Sequence, residues 1–198
     1  MSYYSGGSMK RLSLLFTIFI LLFTVQTSMA TGLGIQAGMA TSAFQDQASA
    51  ANTFVGGAHF VFDWLPLIDV GAEYTMTLSP YTFETTAFGQ TLTSEISQSY
   101  FGAFVRVFLP IPLIVVNPYL KGGMGYYSGK FKVTAAGRSD SADLKSTLGY
   151  SLGLGVKSIV GLYGEFVYNF VSHELDVENP DNLAYNNWMI MVGYSFGL

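Results

Sequence analysis

The sequence contains no cysteine, two histidines and two tryptophans, and only 11% of its 198 residues are charged. Without cysteine there are no disulfides, no cysteine-based zinc spacing and no lipidated cysteine of a lipoprotein anchor. Charge is sparse in both signs, nine basic against 13 acidic residues, so nothing points to a nucleic-acid partner. Long apolar runs are also missing. Only residues 12–25, LSLLFTIFILLFTV, form one. Each helical span of a membrane needs about 20 apolar residues, which argues against a helical membrane protein although half of the chain is hydrophobic. What the chain does have is glycine (22), phenylalanine (16) and tyrosine (13). With so little charge, that mixture points to β-structure in apolar surroundings.

Met9, Lys10 and Arg11 precede the apolar run, and the small residues Ser28 and Ala30 close it. A basic start, an apolar stretch and small residues before a cut make a secretory signal, so residues 1–30 are expected to be a signal peptide cleaved after Ala30. A membrane anchor is the rival reading, but the run is barely long enough and no basic cluster follows it. The leader 1–8 ahead of Met9 reads as a misassigned upstream start. Loss of Lys10 and Arg11 leaves seven basic and 13 acidic residues, a net charge of −6 on residues 31–198.

Those residues read as eight short strands of period two, at 32–41, 53–63, 68–78, 95–108, 118–128, 146–157, 161–171 and 186–197. In the third, Val70, Ala72, Tyr74, Met76 and Leu78 face one way, and Asp69, Gly71, Glu73, Thr75 and Thr77 the other. In the sixth, Leu148, Tyr150, Leu152, Leu154 and Val156 oppose Gly149, Ser151, Gly153, Gly155 and Lys157. The seventh sets Leu162, Phe166, Tyr168 and Phe170 against Glu165 and Asn169, and in the last Trp188, Ile190, Val192, Tyr194 and Phe196 share a face. One face is bulky and apolar; the other is glycine, hydroxyls and isolated charges. A soluble barrel would turn the bulky face inward and show water a poor, nearly uncharged skin. A transmembrane barrel turns it to lipid and fills a narrow lumen with the small polar face. Unpaired backbone is not tolerated in lipid, so the sheet must close, and eight strands leave an interior that side chains just fill. The expected fold is therefore all-β, an eight-stranded antiparallel up-and-down transmembrane barrel.

The connections alternate long and short: 42–52, 64–67, 79–94, 109–117, 129–145, 158–160 and 172–185. Short periplasmic turns and longer outer loops give this pattern. Pro66, Pro110 and Pro112 suit the short turns, since proline brings no N–H to a ladder. Trp64, Tyr194 and Phe196 are expected to anchor the periplasmic interface, and Trp188 the outer rim. The run Asn117 to Tyr126, the run Gly149 to Val156 and the aromatic-rich end from Trp188 to Phe196 resemble the eight-stranded outer-membrane barrels of the OmpA/OmpX type. The resemblance covers the whole of 31–198 and implies one barrel domain in a Gram-negative outer membrane, inserted by the barrel assembly machinery. Families of this type commonly end on an aromatic; here Gly197 and Leu198 follow Phe196.

Six lumen-facing residues stand out: His59, Glu73, Arg106, Lys121, Lys157 and Glu165. Equal spacing about the turns predicts His59 beside Glu73, Arg106 beside Lys121 and Lys157 beside Glu165. Two adjacent cations require a carboxylate from elsewhere, and Glu73 or Glu165 can reach across a narrow lumen. The cluster is expected to be a structural plug, with a gated ion path as the alternative. Ser172, His173 and Glu174 are chain neighbours, but alternation puts the histidine on the opposite face from the other two, so no catalytic set forms. Acidic residues Glu174, Asp176, Glu178 and Asp181 read as a solvated loop rather than a calcium loop. Lys130, Lys132, Arg138 and Lys145, beside Asp140 and Asp143, offer a basic rim to lipopolysaccharide phosphates. The expected function is structural or surface-interactive, for a monomer without cofactor or metal whose outer loops meet a host or surface ligand. A narrow pore or hydrophobic-ligand conduit is the alternative, and a lipid-modifying enzyme the third reading.

Overall fold

A computed structural model describes residues 31–44, 51–65, 67–87, 90–111, 115–135, 137–174 and 182–197. The expected signal peptide lies outside the described residues. Ten strands follow one another: β1 (Thr31–Phe44), β2 (Ala51–Leu65), β3 (Ile68–Thr77), β4 (Tyr81–Ala87), β5 (Gln90–Phe108), β6 (Val116–Ala135), β7 (Arg138–Ser158), β8 (Leu162–Phe170), β9 (Ser172–Glu174) and β10 (Asn182–Gly197). They form eight staves. β3 and β4 are one stave interrupted at 78–80, since both pair with β5. β8 and β9 are likewise one, both pairing with β10. All ladders are antiparallel, and β1 pairs with β2 on one side and β10 on the other, which closes the barrel.

The two faces fall as the alternation requires. Leu148, Tyr150, Leu152, Leu154 and Val156 of β7 are exposed, while Gly149, Ser151 and Gly155 between them are buried. Equivalent outward rows run along the other staves: Leu33, Ile35 and Met39; Phe101, Val105 and Val107; Ile190, Val192 and Tyr194. A belt of bare apolar side chains is untenable in water and suited to hydrocarbon. On β7 it occupies residues 148–156, close to the roughly 9–11 residues with which a tilted strand crosses a bilayer.

The staves exceed that need. β6 has 20 residues and β7 has 21, so their ends project beyond the belt. The segments 79–94 and 129–145, expected as loops, are mostly sheet: β4 pairs with β5 from Tyr81↔Ile96 to Ala87↔Gln90, and β6 with β7 as far as Ala135↔Arg138. Their alternation is real, with Tyr81, Phe83 and Ile96 inward and Thr82, Glu84 and Glu95 outward, but serines, lysines and aspartates gave it the composition of loops. Gly137, at φ 79°, makes the tight turn that lets β6 and β7 continue so far. β4, β5, β6 and β7 thus extend as a four-stranded blade. One bulge reorients it: between Tyr127↔Thr147 and Gly129↔Leu144, β7 carries two residues, Lys145 and Ser146, opposite Ser128 alone. The extra residue reverses the parity of β7, so Leu144 turns inward and is buried with Tyr81, Phe83 and Ile96.

Candidate functional site

The lumen is built in layers, beginning near the short turns. Arg106 of β5 lies directly opposite Lys121 of β6, and His59 of β2 opposite Glu73 of β3. The two cations are neutralised from across the barrel. Arg106 Nη2 donates to Glu165 Oε1 at 2.5 Å, and Lys121 Nζ reaches Glu73 Oε2 at 2.7 Å and Glu165 Oε2 at 2.9 Å. Tyr119 OH adds a third donor to Glu165, at 2.7 Å. All four charged side chains are almost completely shielded. An unpaired charge so placed would cost several kcal/mol, and sharing Glu165 between two cations avoids that.

Aromatic rings complete the shell. The Arg106 guanidinium lies 4.7 Å from the Phe104 ring centroid, 5.2 Å from Tyr119 and 5.1 Å from Tyr163. Its Nε and Nη1 make no hydrogen bond with the protein, and these rings supply the compensating cation–π attraction. His59 contacts Phe104 and Tyr163 edge-on, and its Nδ1 is 3.2 Å from Tyr163 OH.

Lys157 is placed differently from the spacing argument. Its ladder partner is Tyr163, while Glu165 faces Gly155. The turn causes the shift: Gly161 N donates to Ser158 O at 3.1 Å, and Gly161 takes φ 90°, so the hairpin centres one position earlier. Lys157 instead meets Asp69 at 3.7 Å. Asp69 was assigned to the lumen face from sequence, yet its pairing with Lys157 was missed.

Above the charges lies a neutral polar layer that sequence reasoning did not assemble. Tyr163 OH donates to Gln36 Oε1 at 2.9 Å, and Gln36 Nε2 to Thr75 at 3.2 Å. Tyr127 OH donates to Asn169, Asn169 to Asn187 and Asn187 to Gln98 in a relay of 3.0, 2.6 and 3.3 Å. Each large ring lies over a glycine of a neighbouring strand: Tyr127 over Gly149, Tyr119 over Gly155, Tyr163 over Gly193 and Tyr100 over Gly125. A Cβ at Gly149 would stand 2.6 Å from Tyr127 Cε2, where no real Cβ sits. Those glycines were legible as a lumenal row; the tyrosines that need them were not matched to it. The third layer is apolar, with Val55, Tyr81, Phe83, Ile96, Leu144 and Met191 packed at the hairpin end.

Among the described residues no group of three or more histidine, aspartate or glutamate side chains is close enough to hold a metal ion. His173 and Glu174 are in β9, opposite Leu183 and Asn182, but their side chains lie outside the described ones, as does that of Trp64. Asp176, Glu178 and Asp181 lie outside the described residues. Tyr194 and Phe196 pair with Ile35 and Leu33 at the short-turn end and touch each other at 4.7 Å. Trp188 lies farther toward the hairpin end, opposite Tyr168 and stacked on Phe166 at 6.1 Å.

The sequence matches the family model described as Outer membrane protein beta-barrel domain over residues 14–196. None of the curated proteins matches it. Among solved structures it is similar to Neisserial surface protein A, with 13% identity and a TM-score of 0.60 over 85% of this chain and 97% of that one. It is also similar to Ail, the attachment invasion locus protein of Yersinia pestis, in complex with the heparin analogue sucrose octasulfate. There the identity is 18% and the TM-score 0.56, over 84% of this chain and 99% of that one. At such identities the likeness concerns the fold alone.

Proposed function

The chain belongs to the outer membrane protein beta-barrel domain family, and from that premise we propose that it is a non-enzymatic, monomeric barrel with a structural and surface-contact role. It resides in the bacterial outer membrane. The observation that carries the proposed role is the blade of β4, β5, β6 and β7, which continues past the lipid-facing belt while the lumen beneath it is filled. Its outward face is polar and holds an exposed pair between Lys132 and Glu95 at 3.1 Å. A surface that leaves the membrane on a rigid sheet suits contact with another molecule. In this reading residues 1–30 are the cleaved signal, the assembly machinery inserts 31–198, the short turns face the periplasm, and the blade meets a host or surface ligand. The names of the two similar proteins, a surface protein and an attachment protein, agree with such a role.

Thr82, exposed on the blade, provides the test. The natural chain has no cysteine, so Thr82→Cys creates a single thiol for a membrane-impermeant maleimide. Labelling of intact cells is expected, together with adherence to host-cell or matrix surfaces that is lost when 81–94 and 129–145 are replaced by short turns. Absence of labelling, or adherence indifferent to the blade, overturns the reading. The four-charge layer favours one second reading, a gated pore, because a paired charge layer is also how a lumen controls ions. Planar-bilayer conductance that is present in the natural chain and changes on Arg106→Ala would support it over the plug.

A further inference from the structure

The outer wall of the barrel carries a groove of about 480 Å³ at the root of the blade, a volume within the range of small-molecule sites. Two departures from regular pairing border it. β3 leaves β5 after Met76↔Ser99, with pairing resumed only at Tyr81↔Ile96, and β7 bulges at Lys145 and Ser146. Its polar lining includes Ser97, Ser99, Ser128, Ser146, Lys130 and Asp143, with Thr77 and Gln98 at its floor. Ser99 and Ser128 hydroxyls are 2.9 Å apart. Lys130 and Asp143 only just meet, at 4.0 Å, and both side chains are more than three-quarters exposed. On the side away from the blade tip the lining is Tyr74 and Met76, and there the exposed apolar row of Phe101, Tyr126 and Leu148 begins. The groove therefore straddles the border between hydrocarbon and headgroups.

We propose that the groove seats the sugar-phosphate headgroup of one outer-leaflet glycolipid, whose acyl chains run down the wall over Phe101, Tyr126 and Leu148. An occupant at this border must be amphiphilic, because one side of the groove opens onto the apolar belt and the other onto the polar blade. Four serine hydroxyls match the donors and acceptors of a sugar ring, Lys130, only loosely held by Asp143, matches one phosphate, and the Asp143 carboxylate can accept from a sugar hydroxyl. The inference rests on the reading above that the blade faces outward.

The test uses the full chain, refolded in detergent, with lipid A as the probe and phosphatidylglycerol as comparator, read by native mass spectrometry. One lipid A per barrel is expected, bound at least tenfold more tightly than phosphatidylglycerol. Combined Ser97→Leu and Lys130→Glu should weaken it at least tenfold, and Ser146→Tyr, which fills the groove by a different route, should do the same. Lys132→Glu, whose lysine pairs with Glu95 outside the groove, should bind as the natural chain does. Every variant is first shown to be folded by its faster migration before boiling. Equal binding of both lipids, or equal binding by the groove variants, overturns the inference. Thr82→Cys labelling separates the two failures: a labelled blade without selective lipid A binding removes only the groove, and an unlabelled blade removes both.

Discussion

Arg106 and Glu165 meet at 2.5 Å across the lumen, 59 residues apart in the chain, with neither side chain reached by solvent. Glu165 also serves Lys121. Glu165→Ala therefore strands one cation and half-strands another, and removal of one partner of a buried pair costs about 3–5 kcal/mol. A loss of that size is expected in urea unfolding from lipid vesicles. Combining Arg106→Met with Glu165→Leu should recover most of it, since Lys121 keeps Glu73. If the single variant unfolds like the natural chain, the pair is not shielded as described.

Gly149 and Tyr127 give a steric counterpart. Gly149→Ala forces the Tyr127 ring aside, and overpacking of this kind costs about 1–3 kcal/mol. Tyr127→Ser should lower the natural chain's stability yet make Gly149→Ala nearly harmless in the same background. A double-mutant cycle measures the coupling; additive effects would mean that the ring does not lie over the glycine.

Leu154 is exposed on the belt. Exposed Leu→Arg changes in water are usually within about 0.5 kcal/mol of neutral, whereas on a lipid-facing barrel strand arginine costs about 2–4 kcal/mol near the midplane. Leu154→Arg is expected to show the larger loss in vesicles, and Ser141→Arg, on the exposed blade, almost none. Equal effects at the two positions would place Leu154 outside the bilayer.

Deleting Ser146 removes the extra residue of the β7 bulge. Restored parity turns Leu144 from the apolar cluster to the outside, because a one-residue slip exchanges the faces of a strand. The barrel should still migrate faster before boiling, while limited proteolysis of the blade between 129 and 145 accelerates. A blade as resistant as before would show that Leu144 does not hold it.

The wall was legible from sequence because period-two alternation survives in every stave, and an inverted barrel is the arrangement that keeps those bulky faces out of water. The cross-strand pairs at His59 and Arg106 were legible because partners counted outward from the short connections meet the observed ones, although β2 is irregular between Asp63 and Leu65. Lys157 failed that count because Gly161 accepts a positive φ and shifts the hairpin centre, which composition does not reveal. The blade was hidden by residues that serve turns and solvated strands equally well. The amide and phenol relay through Asn169 and Asn187 depends on curvature across the lumen, which no single strand encodes.

Gly32 pairs with Gly197, so the first and last described strands share one seam. Closure therefore joins strands that stand more than 130 residues apart in the chain. Until the final strand arrives, every earlier arrangement is an open sheet with two hungry edges and an apolar back. Contacts so distant in sequence make for slow folding, and unpaired edges invite association with the wrong chain. The seam thus dictates a timetable: no barrel exists before β10 is in place beside β1, and until then the earlier strands keep their edges open.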